Sequence, residues 1–257
     1  CCAPNVTEKE IARLVDFGLD SLIQVKIVVG NGSVNKRSLT LDEKDISLTF
    51  NMAVIPLDET RHQFSKRVFD LAFSLLFSVL VLSWLIPLIA ILIKAESKGP
   101  AFFIQKRNGL KNKPFGCIKF RTMRVNQEAD TKQATKDDNR ITRVGKFLRK
   151  SSIDELPQFI NVLRGDMSLI GPRPHPIKLN EKFAVHIQNL MARHYVKPGI
   201  TGLAQCMGYR GETQTLADME NRVRLDRYYI ENWTFWLDIK IVFLTVVSLL
   251  RGSDKAY

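Results

Sequence analysis

The sequence has little that could organise a disulfide framework or a zinc site. Its four cysteines are the adjacent pair Cys1 and Cys2 and the isolated Cys117 and Cys206. They show no C-x-x-C spacing and form no cluster with the four histidines. This pattern excludes the usual zinc-ligand arrangements and is typical of reduced cytosolic thiols. No internal repeat is evident either.

Acidic residues are also scarce. The chain has 26 Asp and Glu against 38 Lys and Arg, which gives a net charge of +12 and a pI of about 9.6. Residues 105–150 carry most of the excess, with 14 basic against 4 acidic side chains. Such a block indicates phosphate or anionic lipid as a partner. We do not expect nucleic acid, because zinc-ligand spacing and a recognition-helix pattern are both missing.

One long uncharged stretch runs through residues 71–93. Its 23 residues are enough to cross a hydrocarbon core of about 30 Å. Pro87 lies inside the stretch, however, and basic residues flank both ends, which draws both ends towards the cytoplasm. A spanning helix and a re-entrant hairpin bent near Pro87 both remain open, and the flanking charges favour the hairpin.

The chain begins without Met and without a signal peptide, so we expect it to be part of something longer. A T-x-x-E capping box at Thr7 opens an amphipathic pattern to about Leu19, and a β-branched run follows at residues 22–29. Helix followed by strand predicts the end of a Rossmann-like α/β domain within residues 1–60. A further short strand is predicted at residues 51–55.

Two short strands around a Gly and Asn turn are predicted after the apolar stretch, at residues 97–109 and 113–123. Alternation in the second strand would place Lys119 and Arg121 on one face, as two cations facing one ligand or simply facing solvent. Residues 233–250 are apolar but contain Asp238 and Lys240, and this favours a helix lying on a membrane over one that spans it.

The adjacent carboxylates Asp154 and Glu155 are the strongest sign of chemistry. They are expected at the start of a helix, where the positive potential of free N–H groups lowers a carboxylate pKa and attracts phosphate. An ionised Asp154 there could attack phosphorus. The alternative is a purely structural capping box between Ser152 and Glu155. Arg173 lies between prolines in a Gly171–Pro174 turn that begins sixteen residues after Glu155, and it favours chemistry because it would make a rigid phosphate clamp.

Two further residues near this segment allow a functional and a structural interpretation. His175 follows the arginine clamp and could contact sugar or phosphate, or it could simply pack between its flanking prolines. Asp166 could orient Arg173 or bind a metal, or it could form a turn after Gly165.

Several motifs together resemble one family. They are KRVFD (66–70), KGPAFFIQKRNG (98–109), KPFGCIKFRTM (113–123), DELPQFINVLRGDMSLIGPRP (154–174), KPGITGLAQ (197–205) and DRYYIENWTFWLDIKI (226–241). In this order they resemble the bacterial sugar transferases, the monotopic polyprenyl-phosphate phosphoglycosyl transferases that begin exopolysaccharide, capsule or O-antigen assembly. GPRPHP followed by Asn180 and Glu181 is similar to the subgroup that transfers glucose 1-phosphate.

The resemblance implies transfer of sugar 1-phosphate from a UDP-sugar, with glucose favoured, to undecaprenyl phosphate. Asp154 would be the nucleophile, Glu155 a Mg²⁺ ligand, and Arg173 the phosphate clamp, with Lys119, Arg121 and His175 as further binding candidates. Many members have Ser-Pro at the membrane bend, whereas Ile86 precedes Pro87 here. Ser83, one turn earlier, would have to satisfy the backbone instead.

The fold class implied is α+β and mainly helical. Residues 1–60 would be the end of a Rossmann-like domain and connector, 61–95 a re-entrant membrane hairpin, and 96–257 the catalytic domain with a small β-hairpin and a C-terminal interfacial helix. The enzyme would sit at the cytoplasmic face of the bacterial inner membrane, with a homodimer as one option. The rival hypotheses are direct transfer with Asp154 as a general base, and a scaffold that docks on anionic lipid.

Overall fold

The computed structural model describes residues 55–125, 138–187, 190–209, 211 and 215–251, with short stretches at 26–29 and 48–51 and scattered positions between 7 and 18. These residues are mainly helical and form three two-stranded sheets. This confirms the predicted α+β, mainly helical class.

The bounds of the elements are as follows. The helices are α1 (Thr60–Phe77), α2 (Ser83–Glu96), α3 (Arg143–Ser151), α4 (Gln158–Arg164), α5 (Ile177–Ala184), α6 (Leu203–Cys206), α7 (Leu216–Glu231) and α8 (Phe235–Arg251). The strands are β1 (Lys26–Val29), β2 (Leu48–Asn51), β3 (Phe102–Asn108), β4 (Pro114–Phe120), β5 (Ser168–Ile170) and β6 (Gly199–Thr201).

The N-terminal strands do not confirm a Rossmann-like fragment. β1 pairs with β2 in antiparallel register, whereas a βαβ unit would place its strands parallel. β1 lies inside the predicted strand, and β2 ends at the residue where the second strand was expected to begin. The predicted helix from Thr7 lies mostly outside the described residues. The Rossmann-like assignment therefore stays a prediction.

Residues 60–96 form one helix of 37 residues that is long and apolar enough to cross a membrane. A π-helical segment, Ser78–Leu82, separates α1 from α2 one turn before Pro87. The Ser83 hydroxyl donates to the Val79 carbonyl at 2.7 Å. Ser83 thus does bond a backbone carbonyl, as expected, but the carbonyl belongs to the π segment and is not one freed by Pro87.

Both ends of this long helix pack on the same folded body. Near its start, Lys66 Nζ lies 2.6 Å from Asp238 Oδ2 of α8. At its end, the Glu96 carboxylate accepts the backbone N–H groups of Arg143 and Val144 at the start of α3. Between these anchors, the buried side chains Ile89 and Ile93 pack with Phe120 and Leu148.

The predicted β-hairpin is confirmed as β3 and β4, which pair antiparallel from Phe102 opposite Phe120 to Asn108 opposite Pro114. Its turn uses left-handed backbone at Lys111 and Asn112. The side chain of Asn161 in α4 bonds to the backbone of β4, because it accepts from the Ile118 N–H and donates to the Gly116 carbonyl. This contact places α4, and the acids just before it, against β4.

Two close backbone approaches position the remaining parts. A Cβ on Gly145 would lie 2.0 Å from the Thr122 carbonyl oxygen, so α3 packs directly on the chain leaving β4. A Cβ on Gly199 would lie 2.1 Å from the Gly171 nitrogen. The short parallel pair β5 and β6 therefore holds the Gly171–Pro174 turn tightly. The sequence did not predict this pair, because three-residue strands carry too little pattern to be recognised.

Candidate active site

The acid pair lies in a 3₁₀ turn, Ile153–Glu155, between α3 and α4. The helix that was expected to contain both acids begins only at Gln158, with Pro157 at its N-cap. Ser152 has a φ of 60°, a left-handed conformation that ends α3 and turns the chain. The acids are therefore presented by a tight turn and not by the first turn of a helix.

Glu155 is buried between two cations. Lys119 Nζ lies 2.5 Å from Glu155 Oε1, Arg173 Nη1 donates to Oε2 at 2.9 Å, and Arg173 Nη2 also contacts Oε1. Ser152 makes no side-chain capping bond at this turn. The capping-box interpretation is therefore wrong, because the Glu155 carboxylate is used by Lys119 and Arg173.

The same contacts set the ionisation of the buried pair. Burial by itself would raise the pKa of Glu155, but the charges and hydrogen bonds of Arg173 and Lys119 outweigh it and hold that pKa well below its ordinary value. Burial alone would lower the pKa of Arg173, and Glu155 raises it instead. Glu155 is thus ionised and holds both cations beside Asp154.

Asp154 is in a different situation. Among the described residues its carboxylate makes no hydrogen bond and no ion pair. Burial raises its pKa to about 6, with Glu155 adding to the rise and Lys119 opposing it. The expected lowering by a helix terminus is therefore wrong, because loss of water outweighs the cations. At neutral pH most Asp154 side chains are still ionised, and the unbonded oxygens are free to act as a nucleophile.

The other predicted residues are divided between this site and its surroundings. Arg121 is not part of the site, because its guanidinium donates to the backbone carbonyls of Ser97 and Lys98, both at 2.7 Å. β4 ends at Phe120, which breaks the alternation that was expected to pair Arg121 with Lys119. Arg121 instead anchors the chain that leaves the long helix. Pro87 and Ser83 lie in or next to the apolar part of that helix, as expected.

Asp166 does not orient Arg173. Its Oδ2 accepts from Asn161 Nδ2 at 3.2 Å, within the contacts that hold α4 on β4. His175 is fully buried, and both of its ring nitrogens face arginines: Arg193 at 2.9 Å and Arg222 at 3.1 Å. His175 is thus part of a charged cluster, which the sequence interpretation had not predicted.

The site residues that the sequence analysis missed include Arg107, Arg149, Arg193, Arg222 and Asp226. Arg193 Nη2 donates to Asp226 Oδ2 at 2.6 Å and to the Arg173 carbonyl at 2.8 Å. Arg107 donates to the Pro174 carbonyl. The one available signal was the i, i+4 spacing of Arg222 and Asp226 on an amphipathic segment, which many surface helices share.

A magnesium ion is compatible with these residues. Among the described parts of the chain, no group of three or more His, Cys, Asp and Glu could hold a metal. Mg²⁺ typically uses only one or two carboxylates together with substrate phosphates. Asp154, with free oxygens, and the neighbouring Glu155 match that requirement, although Glu155 is already paired with Lys119 and Arg173.

Comparison with known proteins connects this geometry to a family. The family model described as "Bacterial sugar transferase" matches residues 61–252. A UDP-glucose:undecaprenyl-phosphate glucose-1-phosphate transferase of Klebsiella pneumoniae is 53% identical over 182 residues, covering 70% of this chain and 39% of that protein. One of the same name from Caulobacter vibrioides is 47% identical, covering 79% of this chain and 75% of that protein.

A relative with a different named sugar also matches. The UDP-N-acetylgalactosamine-undecaprenyl-phosphate N-acetylgalactosaminephosphotransferase of Aeromonas hydrophila is 45% identical, covering 74% of this chain and 45% of that protein. The chain spans about two fifths of the length of the Klebsiella protein. Relatives at similar identity thus carry names with different donor sugars.

Proposed function

Because the chain belongs to the bacterial sugar transferase family, we propose that it transfers sugar 1-phosphate from a UDP-sugar to undecaprenyl phosphate and so begins the assembly of an exopolysaccharide, capsule or O-antigen. Glucose is the favoured sugar, because the relatives from Klebsiella and Caulobacter are named for it. The observation that carries the proposal is the unbonded Asp154 carboxylate next to the Lys119, Glu155 and Arg173 ion pairs.

The proposed chemistry has two displacements at one phosphorus atom. An Asp154 oxygen attacks the sugar-proximal phosphorus, the bond to the bridging oxygen breaks, and its electron pair leaves with UMP. An oxygen of the lipid phosphate then attacks the phosphorus of the aspartyl ester, and the Asp154 carboxylate leaves. Splitting the transfer in this way is a recognised use of carboxylate nucleophiles.

Lys119 and Arg173 supply the electrostatic part of this proposal. Glu155 holds both side chains at the acid turn, so their remaining N–H groups can face phosphate oxygens without rearrangement. Fixed positive groups of this kind stabilise charge that develops in a phosphoryl transition state. Asp154 and Glu155 would hold Mg²⁺ together with the donor phosphates, and the ion would supply positive charge to those phosphates when bound.

We further propose that the apolar helix is re-entrant and that the site faces the cytoplasm at the inner membrane. The anchors at Lys66 and Glu96 tie both of its ends to one polar body, which cannot lie on both sides of a bilayer. In α8, Trp236, Phe243 and Val246 lie on one exposed face, which suits the interfacial position. We also propose the corresponding domain division. Residues 1–60 would be the end of a Rossmann-like domain, residues 61–95 the membrane hairpin, and residues 96–257 the catalytic domain.

The experiment measures UMP release from UDP-glucose by the detergent-solubilised chain with undecaprenyl phosphate and Mg²⁺. We expect release by the wild type, loss with Asp154→Asn, and loss when EDTA removes Mg²⁺. In a single turnover without acceptor, UMP release and a radiolabelled sugar phosphate on the protein indicate the aspartyl intermediate. Absence of both, with steady-state turnover intact, would instead support direct transfer with Asp154 as a base.

The scaffold alternative makes a separate prediction. If the acids have only a structural role, Asp154→Asn leaves polysaccharide output intact in cells that depend on this chain. Glu220, exposed on α7 and outside the acid site, offers a matched charge-removal control as Glu220→Gln. If the chain turns over UDP-N-acetylgalactosamine but not UDP-glucose, the proposed reaction stands and only the proposed sugar is wrong.

A further inference from the structure

A second group of cations lies one layer behind the acid turn. Arg193 and Arg222 contact the His175 ring, and Arg107 donates to the adjacent Pro174 carbonyl. We call these three arginines, Arg107, Arg193 and Arg222, the arginine cluster. Their exposed fractions are 9%, 1% and 4%. Arg193 connects the arginine cluster to the acid site, because the Arg173 carbonyl accepts its Nη2 at 2.8 Å. The cluster is thus buried and adjoins the proposed phosphate clamp.

The arginine cluster has more hydrogen-bond donors than acceptors. The Nε–H of each of its three arginines has no partner among the described residues. Burial, reinforced by Arg193 and Arg222, holds the pKa of His175 well below its ordinary value, so the ring is neutral. A neutral imidazole has a single acceptor nitrogen, yet guanidinium groups approach both of its nitrogens. Buried donors in native proteins normally find acceptors, so this deficit indicates a ligand that brings oxygens.

The charges point to the same kind of ligand. Across both layers the cations outnumber the carboxylates Asp154, Glu155 and Asp226; they are Lys119, Arg149, Arg173 and the arginine cluster. The site therefore has an excess of positive charge. Each phosphate of a nucleotide sugar carries roughly one negative charge. A diphosphate that spans the clamp and the arginine cluster would offset part of this excess.

The packing around the arginine cluster favours a soluble donor over a lipid as its ligand. Arg193 and Arg222 lie on elements that share a small core of Phe183, Ile187, Leu190, Met219 and Val223. As far as the structure describes it, that core contains no side chain of the Thr60–Glu96 helix, which packs with Phe120 and Leu148 instead. The arginine cluster therefore packs against elements other than the long apolar helix, as a subsite for a soluble donor requires.

We propose that the arginine cluster binds the uridine-side phosphate of the nucleotide sugar, and that His175 is a positioning residue that holds Arg193 and Arg222 for it. This inference rests on the proposed function and adds the subsite for the departing phosphate. Guanidinium groups suit the role, because they donate in a fixed planar fork to phosphate oxygens. Arg173 would then hold the transferred phosphate, and the cluster would stabilise the charge that leaves with UMP.

The test compares Arg222→Gln and His175→Gln with Arg224→Gln, a matched control on the exposed side of the same helix. Calorimetry with the whole chain in detergent gives the Kd for UMP, and steady-state kinetics give the KM for UDP-glucose and for undecaprenyl phosphate. Arg222→Gln should raise the Kd for UMP and the KM for UDP-glucose about tenfold or more, since a charge-assisted bond is lost. His175→Gln should raise both by a smaller factor.

The same measurements on the lipid side separate the two phosphate sources. The KM for undecaprenyl phosphate should stay within about twofold, and Arg224→Gln should match the wild type. Arg222→Lys, which keeps the charge, should recover part of the UMP affinity and shows whether the Gln variant fails merely through misfolding. An unchanged Kd for UMP in both test variants overturns the inference, as does an effect confined to undecaprenyl phosphate.

Failure of the subsite and failure of the reaction give different results. Asp154-dependent turnover of UDP-glucose with unaffected cluster variants refutes the subsite alone. The opposite result is also distinguishable. If the wild-type chain binds UMP through the arginine cluster but releases no UMP from any UDP-sugar, the proposed reaction is refuted and the phosphate subsite is supported.

Discussion

Asp154 and Glu155 are neighbours, yet replacing each by its amide should shift the stability of the protein in opposite directions. Glu155 accepts from Lys119 and Arg173, whereas Asp154 is partly buried without a partner among the described residues. Asp154→Asn should therefore stabilise the fold, and Glu155→Gln should destabilise it. Both variants should lose UMP release, so activity alone does not separate the two roles.

The size of each effect follows from the contacts. Removing one member of a buried ion pair typically costs about 3–5 kcal/mol. We expect about 2–4 kcal/mol for Glu155→Gln, because the Lys119 and Arg173 side chains keep 16% and 18% exposure. For Asp154, the rise in pKa from 3.8 to about 6 corresponds to at most about 3 kcal/mol. Partial exposure reduces this to about 1–2 kcal/mol.

The pH dependence of the Asp154 effect has a defined sign. A carboxyl group whose folded-state pKa is raised favours folding when protonated, so its penalty is absent below the unfolded pKa of about 3.8 and complete above about 6. The gain from Asp154→Asn should therefore be largest above pH 6 and shrink as the pH falls to 4. Thermal unfolding in detergent with EDTA should show a Tm rise of about 2–8 °C for Asp154→Asn at pH 7.5, and a fall of roughly 4–16 °C for Glu155→Gln.

Lys113→Met is a suitable control for these measurements, because Lys113 is exposed and lies just before the strand that carries Lys119. Its Tm should match the wild type within about 2 °C. Equal losses of Tm in Asp154→Asn and Glu155→Gln would refute the reasoning, since they would mean that Asp154 is bonded as firmly as Glu155.

Three further predictions concern the same site and its supports. With a pKa of about 6 for Asp154, kcat/KM for UMP release should fall about tenfold from pH 7 to pH 5, because this parameter reports the free enzyme; a flat profile would contradict it. Gly145→Ala should lower both Tm and activity, because its methyl group would lie 2.0 Å from the Thr122 carbonyl oxygen, an overlap that outweighs the helix-propensity gain of about 1 kcal/mol. Lys146→Ala on the exposed side of α3 is its control, and equal Tm values for the two would argue against the close packing. Pro87→Ala should straighten the long helix, so that single cysteines placed before Lys66 and after Lys94, in a cysteine-free background, no longer label from the same side. An unchanged same-side pattern would show that the bend does not depend on proline.

The elements recognised from sequence share one property: their signal is local. The apolar stretch, the strands on either side of the Gly and Asn turn, and the C-terminal helix each repeat their pattern over several neighbouring residues. Asp154 and Arg173 were found in the same way, because adjacent acids and a proline-bracketed arginine are visible within one short segment. Their prediction required no knowledge of distant partners.

The errors come from partners that are distant in sequence. One interpretation had Glu155 cap its own turn, but Lys119 and Arg173 bring their charges from 36 and 18 residues away. Arg121 was expected beside Lys119, yet β4 ends between the two residues. The Arg121 guanidinium instead donates to backbone carbonyls of the loop after the long helix. A pattern of residue types cannot show which of several cations a carboxylate will meet.

The sequence by itself therefore determined the chemical groups and the apolar helix, since composition and short spacing decide which segments fold as helices or strands and which side chains could react. Only the tertiary structure decided their roles. Burial without a hydrogen-bond partner raises the pKa of Asp154 and leaves its oxygens free. Burial between two cations keeps Glu155 ionised, so that it holds the Lys119 and Arg173 side chains in place. The tertiary structure also brought Arg193 and Arg222 to His175, and Arg107 to the adjacent Pro174 carbonyl, because close packing brings together groups that the order of the chain keeps apart.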